Sequence, residues 1–292
     1  VIENADIARR LEETAEILQA QGANPFRVQA YRRAAENIRH LAKPVAEIWR
    51  EGGDDALRAL PGVGDRLTAA LRTLILTGRL PMLDRLRGEM DPVELLASVP
   101  GIGPVLAKRL HHDLGIDTLE ELEAAAHDGR LRDLGGIGSK KLAGIMDMLA
   151  TRLGRASRRT GTRLETETPP SIAELLDVDR EYREKAQRGE LPRIAPRRFN
   201  PHHEAWLPIL HTQRGERHYT ALYSNTARAH ELGRIHDWVV LYYDHGRDEQ
   251  QCTVITAQRG ICAGERVVAG RENECTAYYQ MQPGTQLVDK VQ

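Results

Sequence analysis

Residues 60–64, 99–103 and 134–138 read Leu-Pro-Gly-Val-Gly, Val-Pro-Gly-Ile-Gly and Leu-Gly-Gly-Ile-Gly. In each, glycines flank an aliphatic residue just ahead of an amphipathic stretch, the pattern of a tight turn entering a helix. Amide N–H groups at such a start point outward, the helix dipole favours an anion there, and the missing side chains let a phosphodiester come close. Gly62, Val63, Gly64, Gly101, Ile102, Gly103, Gly136 and Gly138 are therefore candidate phosphate-binding positions, with Arg66, Lys108, Lys140 and Lys141 as flanking cations. One glycine pair is equally well explained as a steric turn. Three copies spaced 39 and 35 residues apart are not, and an α-solenoid would repeat packing residues rather than the turn. A grip on backbone implies nucleic-acid binding with little sequence preference.

The chain has 292 residues, enough for two or three domains with real cores. Its net charge of −1 excludes a lysine-coated surface, so any nucleic-acid contact is local and its salt dependence shallow. Cys252, Cys262 and Cys275 are odd in number and lack Cys-x-x-Cys spacing, which points to a reduced, cytoplasmic protein. No signal peptide or membrane-length apolar run is read, and no membrane partner is expected.

The elements that must carry the turns are legible in the spacing. Ile7, Leu11, Ala15 and Leu18 mark a first helix that stops at Gly22. Asn24 and Pro25 start a second, with Val28, Tyr31, Ala35 and Ile38 on its buried side. A short third helix begins at Val45 and breaks at Gly52-Gly53, and further helices follow each glycine turn. Thr118 and Glu121 form a capping box. From Ser171 a helix runs to Gly189, after which two alternating segment pairs predict hairpins around 213–217 and 244–251. The expected class is α+β: an all-α helix-hairpin-helix half, then a mixed α+β domain. The expected divisions are a small helical DNA-binding domain over 1–88, a tandem helix-hairpin-helix domain over 89–154, a linker over 155–170 and the α+β domain over 171–292.

The stretch Asn24-Pro25-Phe26-Arg27-Val28-Gln29-Ala30-Tyr31-Arg32-Arg33-Ala34-Ala35, followed by the turns at 60–64 and 99–103, resembles the amino-terminal DNA-binding half of the DNA polymerase X family. The resemblance covers about half the chain. It implies a 5′-phosphate pocket built from Arg27, Tyr31 and Arg66, with Arg32 beside it, and turns that hold the strands flanking a gap. It also implies an optional Na⁺ or K⁺ on the backbone carbonyls of Leu60 and Val63, and of Val99 and Ile102; no other cofactor is required. Tyr31 reads equally well as a core aromatic.

Departures from that family bear on chemistry. Ala70 stands where the family's Schiff-base lysine would be, and the neighbouring lysine positions hold Arg66, Arg79 and Met82. Arginine stays protonated and is no substitute amine. Asp177-Val178-Asp179 has the letters of a metal-binding pair but falls in a helix, and is expected on a solvated face. The expectation is a structure-specific binder of gapped, nicked or branched DNA in repair, without polymerase or lyase activity and with no catalytic residue assigned. The alternative is a nuclease or phosphoesterase in the carboxy-terminal domain, where His202, His203, His211, His218, His230, His236 and His245 cluster. A third is a scaffold for a protein partner, should the carboxy-terminal strands expose an apolar patch.

Overall fold

The computed structural model describes residues 2–89, 91–135, 137–153, 169–245 and 248–281. The first unit holds five helices: α1 (Asn4–Ala20), α2 (Pro25–Arg39), α3 (Val45–Arg58), α4 (Asp65–Thr77) and α5 (Pro81–Arg87). The stripe read from sequence is buried: Ile7, Leu11, Ala15 and Leu18 of α1 pack with Val28, Tyr31, Ala35 and Ile38 of α2. Asn24 caps α2 by accepting from the Phe26 amide at 2.8 Å. The break expected after Trp49 is a kink, with Gly53 at φ 62° inside α3.

The tandem unit follows: α6 (Pro92–Ala97), α7 (Pro104–Leu114), α8 (Leu119–His127), α9 (Arg130–Asp133) and α10 (Ser139–Arg152). It has its own core, around Leu96, Val99, Ile102, Leu110, Leu122, Ile145 and Leu149. The capping box is formed: Glu121 N donates to Thr118 Oγ1 at 3.1 Å, and Glu121 Oε2 accepts from Thr118 N at 3.2 Å. The linker expected over 155–170 lies, apart from Pro169 and Pro170, outside the described residues.

The carboxy-terminal part begins with α11 (Ile172–Gln187), then β1 (Arg193–Ile194), β2 (Leu207–Arg214), β3 (Arg217–Tyr223), α12 (Ala227–Glu231), β4 (Val239–His245), β5 (Asp248–Thr256), β6 (Arg266–Val268) and α13 (Glu272–Gln280). The strands pair in chain order and antiparallel throughout. The molecule is thus a helical amino-terminal region followed by an α+β part with a six-stranded sheet.

Alternation along the strands sorts the two faces. Leu210, Ala221, Leu241 and Cys252 lie in one row, on the side of α11. There the Tyr182 hydroxyl donates to the Pro208 carbonyl at 3.0 Å and accepts from the Tyr223 amide at 2.8 Å. The opposite face carries His211, Thr220, Tyr242 and Gln251 in register, with Gln213 opposite His218 and Asp244 opposite Glu249 in the next rung. In an antiparallel sheet covered on one side this polar row would meet water. Here it meets the helical units. His211 Nε2 lies 2.9 Å from Gln21 Oε1, Asn24 Nδ2 donates to Gln213 Oε1 at 2.7 Å, and Glu120 accepts from Thr253 at 2.9 Å. Arg85, 2 % exposed, stacks 3.7 Å from the Tyr242 ring centroid and pairs with Glu249 at 2.7 Å. The first unit and the sheet share one continuous apolar core.

One expectation for this part is corrected, and one condition is not met. Asp177 is partly open and pairs with Arg214, but Asp179 is only 1 % exposed and is gripped by Arg266 at 2.6 and 3.0 Å. Residues two apart on a helix diverge by about 200°, so the pair cannot share one solvated face. An apolar patch on the strands is likewise not found among the described residues: the exposed large hydrophobics Phe199, Leu232, Ile261 and Met281 all lie outside the sheet.

Candidate nucleic-acid interface

The backbone of the first two turns is nearly the same. Gly62 and Gly101 have φ of 78° and 91°, the left-handed region that side chains avoid. The Val63 amide closes on the Leu60 carbonyl at 3.1 Å and the Ile102 amide on the Val99 carbonyl at 2.9 Å. Val63 and Ile102 are buried. These two residues, expected as phosphate donors, are instead turn-closing and core residues, because an aliphatic side chain between the glycines must be buried and its amide finds a partner three residues back. The outward donors belong to the following helix starts. Gly64 precedes α4 and Gly103 precedes α7, both in extended backbone and neither with a side-chain cap.

The second glycine of each turn is not required by the fold. A Cβ at Gly64, Gly103 or Gly138 would meet nothing within 4 Å. A helix N-cap ordinarily gains stability from Ser, Thr, Asp or Asn. Glycine at an open N-cap fits the close approach of something outside the chain.

Gly62, Gly64, Arg27, Arg66 and Pro100 line one groove of about 840 Å³. A neighbouring depression of about 1010 Å³ shares Ser98, Arg152 and Glu249 with it and carries Gly103 and Lys108. The first two turns therefore line adjoining depressions, with Pro100 of the second turn in the first of them. Arg27, Tyr31 and Arg66 come together in the groove: Arg27 Nη2 and the Tyr31 hydroxyl both reach Met82 Sδ, at 3.0 and 3.5 Å. Tyr31 is 8 % exposed, and burial, opposed by Arg27, pushes its hydroxyl up to about 12. The core reading of this aromatic holds, and the residue also lines the groove. Arg32 bonds Gln19 and lines neither depression.

The third turn does not join the other two. Gly138 and Lys140 are exposed but line neither depression, and Gly136 lies outside the described residues. Lys141 is brought to the second turn, its stem 3.9 Å from where a Cβ on Gly101 would stand.

The carboxy-terminal sheet supplies the opposite wall. His218, Asp244, Glu249 and Glu216 all line the groove. Arg66 donates to the Glu216 carbonyl at 2.6 Å and pairs with Asp244 at 3.3 Å. Burial, with Arg27 and Arg66 alongside, holds the His218 imidazole down to about 4. The same burial lifts Asp244 above the ordinary carboxylate range, against the pull of Arg27 and Arg66. The histidines do not converge: His230 stacks on Phe199 and bonds Asn225, His211 bonds Gln21 and Thr220, and the His245 side chain lies outside what is described. No group of three metal-ligating side chains is found among the described residues.

Sequence reasoning assigned no role to Phe26, which is 86 % exposed at the groove. Its place two residues before Val28, about 200° round the helix from the buried stripe, was the available signal.

Residues 2–80 match a helix-hairpin-helix domain family, and residues 93–151 a SAM-like helix-hairpin-helix tandem family. The amino-terminal half is a polymerase-X-like helix-hairpin-helix region. Over 145 residues, 49 % of the chain, it is 28 % identical to the DNA polymerase/3′-5′ exonuclease PolX of Bacillus subtilis, covering 24 % of that protein. Over 123 residues it is 27 % identical to rat DNA polymerase lambda, covering 20 % of it. The chain thus spans a quarter or less of the length of these curated relatives. In this polymerase-X-like region the first matched family ends as α4 gives way to α5, and the second holds the separate core. No helix among the described residues is long and apolar enough to cross a membrane.

Proposed function

We propose that this protein binds DNA by its sugar-phosphate backbone, independently of sequence, with a preference for gapped or nicked duplexes, and serves DNA repair in the cytoplasm. One observation carries the reading: two glycine turns, each with an open and uncapped helix start, line adjoining depressions, the first of which also holds Arg27 and Arg66. Backbone donors and guanidiniums position a phosphodiester without reading bases. The Leu60 and Val99 carbonyls each accept one amide and keep a second lone pair. Together with Val63 and Ile102 they suit a hard monovalent cation such as Na⁺ or K⁺, which would offset phosphate charge at the turn.

The reading includes no polymerase or lyase step. Ala70 lines the groove where an amine would be needed, and borohydride is expected to trap no adduct on abasic DNA. Fluorescence anisotropy on gapped and intact duplexes of unrelated sequence tests the binding. Gapped DNA should bind more tightly than intact duplex whatever its sequence, and Gly64→Ala with Gly103→Ala should weaken it about tenfold at an unchanged melting temperature. Equal affinity for intact duplex, or unaltered binding by the double variant, contradicts the reading.

A further inference from the structure

The polar face of the sheet places an anion of the protein's own against the two arginines of the groove. Arg66 is a fork able to grip a phosphate through two N–H groups. Its Nη2 already donates to the Glu216 carbonyl in the β2–β3 turn, and its Nε faces Asp244 Oδ2 at the end of β4. Arg27, the second cation of the pocket, acts on the same carboxylate. Asp244 is only 14 % exposed, so solvent screens it weakly from an incoming dianion. Its Oδ2 atom is buried yet accepts no aligned hydrogen bond, so the contact with Arg66 is an ion pair without good geometry. A ligand offering better-directed oxygens can displace such a contact.

We propose that Asp244, with the Glu216 carbonyl, is an internal stand-in for a terminal phosphate, so that the carboxy-terminal sheet sets how strongly the groove discriminates 5′-phosphorylated from 5′-hydroxyl ends. The inference rests on the DNA-binding reading above and adds the residue that tunes it. With Asp244 in place, a phosphate must displace the carboxylate from Arg66 and then lie beside a like charge. Without the charge, Asp244 no longer competes for either guanidinium, and only the Glu216 carbonyl still holds Arg66. His218, held neutral in the same wall, can donate a hydrogen bond to a phosphate oxygen without adding charge.

The test is anisotropy on one duplex with a one-nucleotide gap, carrying either a 5′-phosphate or a 5′-hydroxyl. Wild type, Asp244→Asn, Arg66→Ala and the double variant are compared. Asp244→Asn should raise affinity for the 5′-phosphate duplex about tenfold more than for the 5′-hydroxyl duplex, and Arg66→Ala in the same chain should remove that differential gain. In wild type, hydrogen exchange of 214–218 should speed up with the phosphorylated duplex and not with the hydroxyl one, a readout that needs no variant. An unchanged phosphate-to-hydroxyl affinity ratio in folded Asp244→Asn, or identical exchange with the two duplexes, overturns the inference while gapped DNA still binds. Failure of wild type to bind gapped DNA at all overturns the proposed function, and this inference with it.

Discussion

Gly62 and Gly64 stand two residues apart and answer to different physics. At Gly62 the backbone is left-handed, and an added Cβ would press on Asn37 Nδ2 at 3.2 Å. Gly62→Ala is therefore expected to cost about 1–2 kcal/mol in denaturant unfolding. At Gly64 the backbone is extended and the space open, so alanine should shift stability by no more than about 0.5 kcal/mol. Binding should reverse that order of importance, since it is the open position that a phosphodiester approaches. Parallel unfolding and DNA titrations of the two single variants separate the roles. Asp179 shows the opposite condition, a charge that the fold alone needs. It is 1 % exposed, and Arg266 is its bidentate partner while also holding Asp237 at 2.6 Å. Arg266→Met leaves that carboxylate buried with Arg183 alone, and should cost about 3 kcal/mol in the same assay.

Asn24 links two elements through one side chain. Its oxygen caps α2 at the Phe26 amide, and its nitrogen donates to Gln213 in β2. Asn24→Ala should cost about 1 kcal/mol, mostly from the cap, whereas Asn24→Asp keeps the cap and loses only the tie to the sheet. The fall in melting temperature from wild type to Asn24→Asp measures that tie, and the further fall to Asn24→Ala measures the cap. Elements of this kind were legible because local chemistry dictates them: the stripe of α1, the cap of α2, the capping box of α8 and the hairpin around Gly215 all follow from residues within one or two turns. The far wall of the groove was not legible. His218, Asp244 and Glu249 sit near the polar ends of β3, β4 and β5, and period two reports only which residues share a face. Whether that face meets water or another unit depends on contacts between residues more than a hundred positions apart. Arg27 and Arg66 could be nominated from the sequence, but not the carboxylate that meets them. The closing role of the Val63 and Ile102 amides was not legible for a related reason: the sequence displays the glycines, while the bond back to Leu60 or Val99 emerges only with the turn's coordinates.

At the scale of the molecule, the union of sheet and helical units should weaken in acid. His211 joins them through Gln21, and burial with Arg27 and Arg85 nearby pulls its ring from 6.5 to about 3; His218 in the same face falls to about 4. Both folded values are depressed, so the unfolded chain binds more protons across this window. The stability that neutral rings contribute is present above pH 6.5 and is lost as pH falls towards 4. A fully excluded ring loses about 1.4 kcal/mol per pH unit, and partial exposure reduces that to about half for each. Asp244, shifted upward, works in the opposite sense because its folded form holds its proton more tightly, but it is one group against two. Melting followed by circular dichroism from pH 7.5 to 4.5 should therefore show a steady fall beginning near pH 6.5. His211→Asn, whose side chain does not titrate, should melt lower at pH 7.5 through its lost bonds and should flatten the slope between pH 6.5 and 4.5. A slope equal to wild type would mean that His211 is open to protons in the folded protein and that the seam between α1 and β2 is not what acid loosens.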